Sequence, residues 1–381
     1  MQMKACFMQG NIAMAQGAID AGARFYAGYP ITPSSEIAEY ASRQMPLIGG
    51  IYIQMEDELA SMAAIIGASA SGKKSFTATS GPGFSLMQEN LGVAIMAETP
   101  CVIINVQRCG PSTAIATKTA QADIQQCRWG THGEHSMIAL SPSSVEDCYY
   151  QTIRAFNLSE KYRSPVVILA DETIGHLYER LDITRPSSKD LINRRMPSCS
   201  SDEYLPYDLE EENGIAPMAP YGGEYLVWLS GSMHNARGVS DAGAENADRY
   251  IRHYVDKIED NKEDIVEIRE FFMDDAEVAI IAYGCTARAA QQAVLDLREY
   301  NVKAGLLQLV TIWPFADKQI ENACKRVKAV IVPELNLGQI AGEILKYNGD
   351  TPVYRLNRVD TVTIKPDMIF NRVKEVLECL R

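Results

Sequence analysis

The sequence predicts an α/β protein of two parallel-sheet units joined by an irregular connection. Short, unbroken, β-branched runs alternate with helix-patterned segments, the mark of a parallel sheet covered on both faces. That alternation stops after Arg185, where Pro186, Pro197, Pro206, Pro217 and Pro220 fall among acids and serines. A chain of 381 residues also exceeds what one ordinary core accommodates.

From the N-terminus, a helix over 10–21 leads into the strand RFYAGY. The turn PITPSS opens a second helix, with Ser34 or Ser35 as N-cap and Glu36 and Glu39 in its first turn. IYIQM is the next strand, followed by a helix that opens on MEDE and then runs fourteen residues without a charge. KSFTAT, a helix over 84–97, CVIINVQ, a long loop, a helix around 145–160 and PVVILAD complete a first unit, 1–185. The connection, with a charged helical segment over 244–270, occupies 186–270. The second unit, 271–381, reads as the strand EVAIIAYG, a helix over 286–300, the strand KAGLLQLV and the turn TIWPF. A helix around 316–325, the strand KAVIVPE and a last helix over 366–380 follow.

Composition excludes several classes. Hydrophobic residues at 46% and charged residues at 22% describe a globular chain. With 36 basic against 49 acidic residues the net charge is -13, a field that repels phosphate backbones and anionic lipid, so no nucleic-acid partner is expected. MQMKACFMQG lacks the apolar run of a signal peptide, and no stretch approaches the roughly 20 apolar residues that span a bilayer. A cytoplasmic protein with no membrane partner is expected. The nine cysteines show no two-residue spacing, which points to reduced thiols, mostly in the core, and equips the chain poorly for an iron–sulfur cluster.

Parallel sheets bind ligands at the carboxyl ends of their strands, which singles out YPITPSS, MEDE, TSGPGFS and NVQRCGPST. Gly81-Pro82-Gly83 is either an ordinary turn or a close approach of backbone to ligand. Thr32 is a turn hydroxyl or a ligand contact. Arg108 ends an apolar strand, as one half of a structural ion pair or as a fork for a substrate carboxylate. Acids in the first helical turn oppose the macrodipole, which accounts for one or two of Glu56, Asp57 and Glu58 but not all three. Glu58 tops the helix face of Met62, Ile65 and Ile66. A carboxyl desolvated there is expected to have a raised pKa or a bound donor. In GTHGEH, His132, Glu134 and His135 lack a second cluster, so a polar loop near the active site is expected and no metal ligand is assigned.

GYPITPSSEIAE, EDELASMAAIIGAS, TATSGPGFSLMQE, VQRCGPSTAIATKTAQAD and AFNLSEKYRSPVVILADE, in this order, resemble the alpha subunit of the 2-oxoacid:ferredoxin oxidoreductases, enzymes of anaerobic metabolism. The likeness continues through ARGVSDAG and LQLVTIWPF. It implies a three-layer αβα domain of the type that binds the pyrimidine of thiamine diphosphate, then an αβα domain like the transketolase C-terminal one. Glu58, nine residues before Gly67-Ala68, falls on the family's glutamate. Its implied role is to hydrogen-bond the pyrimidine ring nitrogen and favour the tautomer that takes a proton from the thiazolium carbon. Thr32 and Arg108 are implied to orient the substrate carboxylate, and Pro30, Ile31, Gly81, Pro82 and Gly83 to line the cofactor site. Glu56 and Asp57 do not match and are left as helix caps.

Gly-Asp-Gly, the family's diphosphate and magnesium signature, is missing, as are cysteine runs. The resemblance therefore implies half an active site. A beta subunit brings the diphosphate site, Mg2+ and at least one [4Fe–4S] cluster, with gamma and delta chains left open. The implied reaction is reversible oxidative decarboxylation of a 2-oxoacid with coenzyme A, giving acyl-CoA, carbon dioxide and reduced ferredoxin. Among substrates 2-oxoglutarate is favoured over branched-chain 2-oxoacids or pyruvate. Lys118 and Arg128 are candidate contacts for its second carboxylate. A non-oxidative two-subunit thiamine-dependent decarboxylase and a scaffold subunit with a decayed site stand as alternatives.

Overall fold

Apolar runs without polar interruption become wholly covered strands: Pro165–Asp171 is buried at every position, and Cys101–Cys109 at all but its last. The computed structural model describes residues 4–380. Its main sheet runs in the order Thr311–Trp313, Ile138–Leu140, Pro165–Asp171, Cys101–Cys109, Ser75–Thr79, Phe25–Gly28, Ile51–Gln54. Ile115–Thr119 is added antiparallel at the end of Cys101–Cys109, as an eighth strand. A five-stranded sheet runs Ile268–Phe271, Ala304–Leu309, Val278–Ala282, Ala329–Glu334, Val353–Asn357, parallel except for its first strand. Successive side chains point to opposite faces, so Ile103 joins one apolar cluster and Ile104 the other. Each cluster draws on both sheets, for example Ile104 with Ile280 and Ile103 with Ile281.

The order of the central strands positions the site. The chain leaves Phe25–Gly28 towards Ile51–Gln54 on one side, and leaves Ser75–Thr79 towards Cys101–Cys109 on the other. Those two strands are neighbours, so their outgoing loops diverge and open a crevice between residues 29–34 and 80–83. Such a switch point is where open α/β sheets hold ligands. Ile51–Gln54 is the outermost strand, and Leu47, Ile51 and Ile53 stand exposed beside it.

Several expectations are corrected. The helix expected over 84–97 is two, Pro82–Leu86 and Gln88–Met96. The long loop after Cys109 contains Ile115–Thr119, the helix Ile124–Trp129 and Ile138–Leu140. TIWPF is not a turn: Thr311–Trp313 crosses to pair antiparallel with Ile138–Leu140 of the main sheet. The 244–270 segment is helical only as Ala244–Glu259 and Lys262–Ile265, then turns into the strand Ile268–Phe271. The helix Gln339–Ile344 and the strands Val353–Asn357 and Tyr178–Ile183 were not expected; the last pairs with Lys4–Gln9. Ser34 is the N-cap of Ser35–Gln44, but its hydroxyl donates back to the Ile31 carbonyl at 2.9 Å, and only Glu36 lies in the first turn.

The proline-rich connection is irregular and is fastened by buried polar anchors. Arg194 forks onto Glu160, its Nε and Nη2 reaching the two oxygens at 2.8 and 2.7 Å. Arg163 donates to the carbonyls of Pro206 and Ala216 at 2.7 and 3.0 Å. Glu98 accepts from Lys257 Nζ at 2.6 Å and lies 3.1 Å from His253 Nε2, tying Ala244–Glu259 to the first unit. Among the described residues, no helix is long and apolar enough to cross a membrane.

Candidate active site

Asp57 caps the helix Glu58–Ala70, accepting from Ala60 N–H at 2.7 Å. That single carboxylate meets the need of the helix start; Glu56 stays near the surface and Glu58 turns inward. Met62, Ile65 and Ile66 are buried below it as the helix spacing requires, and Glu58 is only 4% exposed. Burial raises the Glu58 pKa above the ordinary carboxylate range; its own backbone N–H opposes the shift, the Asp57 charge adds to it and Arg108 opposes it. No other side chain among the described residues hydrogen-bonds the carboxyl.

Gly83 has to be glycine. A Cβ there would collide with Thr79 Oγ1 and Glu58 Oε1, so the carboxyl, the hydroxyl and the Gly-Pro-Gly turn converge at one point. Gly81 adopts φ +49°, and a Cβ on it would stand 3.0 Å from Arg108 Nε. The turn is thus a close approach of backbone to the Glu58 and Arg108 side chains.

Arg108 is buried and carries its charge without an ion pair among the described residues, so the structural salt bridge is not what holds it. Nη1 donates to the Thr32 carbonyl at 2.7 Å and Nη2 to the Thr113 carbonyl at 3.4 Å, while buried Nε has no partner. Burial lowers its pKa, against the pull of Asp123 and Glu58. An unpaired donor on a buried guanidinium costs free energy unless a ligand meets it. Thr32 contributes its backbone oxygen to Arg108; its side chain is exposed, as is Pro30, and Ile31 is half-buried.

A cleft of 870 Å³ opens beside this point, lined by Gly81, Pro82, Arg108, Asp123, Asn336 and Gln339, among others. Glu58, Thr32, Pro30, Ile31 and Gly83 are not among its lining residues. Part of its wall comes from the loop that follows Ala329–Glu334 and was missed by sequence reasoning. Asn336 Nδ2 donates to the Tyr283 hydroxyl at 2.9 Å and Glu334 Oε1 at 3.1 Å, and its Oδ1 accepts from Gly338 and Gln339. The strand-end rule, applied to KAVIVPE, would have found this loop. Asp123 was missed too: it accepts from Asn105 at 2.9 Å, and burial raises its pKa.

Lys118 and Arg128 do not line the cleft. Lys118 is exposed on Ile115–Thr119, and Arg128 stacks 3.9 Å over the Trp129 ring. The His132–His135 loop borders a different hollow of 180 Å³. His132 is exposed and His135 buried on the Gly133 carbonyl, and no metal-ligating cluster forms among the described residues.

A switch-point crevice beside a buried acid at a helix start is the kind of place where α/β proteins hold ligands. Residues 16–253 match the family described as pyruvate flavodoxin/ferredoxin oxidoreductase, thiamine diP-bdg, and 276–369 match pyruvate:ferredoxin oxidoreductase core domain II. The KorA subunit of 2-oxoglutarate synthase from Methanocaldococcus jannaschii is 48% identical over 346 residues, 90% of this chain and 91% of that one. A solved 2-oxoglutarate:ferredoxin oxidoreductase from Magnetococcus marinus, with 2-oxoglutarate, coenzyme A and succinyl-CoA bound, superposes with TM-score 0.92 at 35% identity. It covers 98% of this chain, which spans 65% of that chain's length. A split-gene transketolase, an inactive beta4 tetramer, shares the fold at TM-score 0.58 and 12% identity, over 98% of this chain and 99% of its own. The chain belongs to the pyruvate flavodoxin/ferredoxin oxidoreductase family, and its fold is the thiamine-type αβα arrangement that the sequence motifs resemble.

Proposed function

We propose that this chain is the alpha subunit of a cytoplasmic 2-oxoacid:ferredoxin oxidoreductase. It acts on 2-oxoglutarate with coenzyme A to give an acyl-CoA, carbon dioxide and reduced ferredoxin, and the reaction also runs in reverse. The observation that carries this reading is the buried Glu58 carboxyl, without a side-chain partner, converging on Gly83 beside the unpaired Arg108 Nε. Relatives that carry 2-oxoglutarate in their names support the substrate. The working division is a pyrimidine unit over 1–185, a connection over 186–270 and a transketolase C-terminal-like unit over 271–381.

The residues present fit thiamine diphosphate. A flat ring bearing hydrogen-bonding nitrogens needs a protonatable acid and glycine backbone to lie against; Glu58, Gly81 and Gly83 supply these. When bound, the cofactor would supply a nucleophilic carbon for the substrate carbonyl and, in its thiazolium ring, the sink for the electron pair released on decarboxylation. Glu58 holds a proton at its carboxyl oxygen toward the ring nitrogen, and burial favours that protonated form. Arg108 Nε, with Thr32 fixing the opposite edge of the guanidinium, orients the substrate carboxylate. Pro30, Ile31 and Pro82 shape the approach. A beta subunit completes the site with the diphosphate contacts, Mg2+ and a [4Fe–4S] cluster; gamma or delta chains enlarge the complex.

Co-expression with the chain encoded beside it tests the reading. The purified complex is expected to reduce a viologen dye fastest with 2-oxoglutarate, more slowly with pyruvate or 2-oxoisovalerate, and only with coenzyme A present. Decarboxylation without dye reduction, in a complex free of iron, would assign the non-oxidative alternative instead.

A further inference from the structure

Thr79 ends the central strand Ser75–Thr79, paired in register with Asn105 and with no exposed surface. Its hydroxyl has no partner, although the next residue, Ser80, donates to the Val106 carbonyl at 2.6 Å. A buried hydroxyl left unmatched is costly, and a β-branched residue in a strand has few rotamers with which to relieve it. The isosteric valine would fill this buried position without that cost.

The hydroxyl converges with Glu58 on the space a side chain at Gly83 would fill. The charged groups facing Glu58 are Asp57 on its own turn and Arg108 from the neighbouring strand. Neither forms an ion pair or side-chain hydrogen bond with it among the described residues, and Thr79 Oγ1 is an uncommitted donor beside it. We propose that Thr79 is a positioning residue for Glu58, its hydroxyl donating to the carboxylate whenever that acid has released its proton. This rests on the reading of Glu58 above. The hydroxyl stabilises the ionised form, limits how far burial pushes the acid up, and fixes which oxygen of the carboxyl stays available to a ring nitrogen.

The test is an infrared pH titration of the carboxyl band in the purified complex, with Glu58→Gln as the blank. Thr79→Val is expected to move the Glu58 midpoint up by about one pH unit, and Thr79→Ser to bring it back. The limb of the kcat–pH profile that belongs to Glu58 is expected to move with it, while affinity for thiamine diphosphate is unchanged. If Thr79→Val does not assemble, Thr79→Ala carries the same expectation. A midpoint that stays put, with or without a loss of cofactor affinity, overturns the proposal. The reading of Glu58 fails separately: Glu58→Gln would then keep full activity whatever Thr79 does.

Discussion

Two buried glutamates, forty residues apart, sit in opposite company. Glu98 is met by Lys257, His253 and the Arg163 charge; burial alone would raise its pKa, but those cations overcome it and hold the carboxyl far below the ordinary range. Glu58 is buried almost as completely, has no cation in contact, and is pushed up. Glu98 and the cations that meet it are paired, whereas beside Glu58 the Thr79 hydroxyl and Arg108 Nε are not. Unsatisfied buried groups mark where a ligand completes the structure, and satisfied ones mark where the chain only needs to hold together.

The pH signs differ accordingly. Glu98, with its folded pKa depressed, contributes stability that is present above the unfolded value of about 4.3 and lost as pH falls below it. Glu58, with its folded pKa raised, weakens the fold as pH rises from that unfolded value through the folded one. Replacing Glu58 by glutamine is therefore expected to lower turnover by about 10²–10⁴-fold while raising the melting temperature at neutral pH; a fall in both would make Glu58 a structural residue. Glu98→Ala strands a buried ammonium and is expected to cost about 3–5 kcal/mol in denaturant unfolding, with the protein that stays folded still active. Arg108→Ala is expected to raise the KM for the 2-oxoacid by about 10–100-fold, in line with the loss of a charged hydrogen bond. Smaller still, Asp57→Ala is expected to cost about 1 kcal/mol as a lost cap, and to lower the Glu58 pKa by removing a neighbouring charge. At Ser34→Ala the change is expected to stay within about 0.5 kcal/mol, because the Ser34 hydroxyl caps nothing.

Much of the crevice was legible because its signals are local. Glu58 could be found from the spacing of Met62, Ile65 and Ile66, and Arg108 from its place at the end of an apolar strand. The elements that escaped depend on partners far along the chain. Tyr178–Ile183 is a strand only because Lys4–Gln9 lies beside it, and Thr311–Trp313 only because Ile138–Leu140 offers a free edge. Val353–Asn357 is interrupted by Arg355 and is half-covered, so no period-2 pattern stands out. Thr79 was invisible for another reason. In TATSGPG its hydroxyl resembles any other strand threonine, and only the collision at Gly83 shows where it points.

With Ile51–Gln54 outermost and its isoleucines bare, the chain made alone presents a template onto which a second copy can zip, edge against edge. The yield of dispersed material then depends on what covers that rim during synthesis. Light scattering, rather than purity on a gel, becomes the criterion for protein worth assaying.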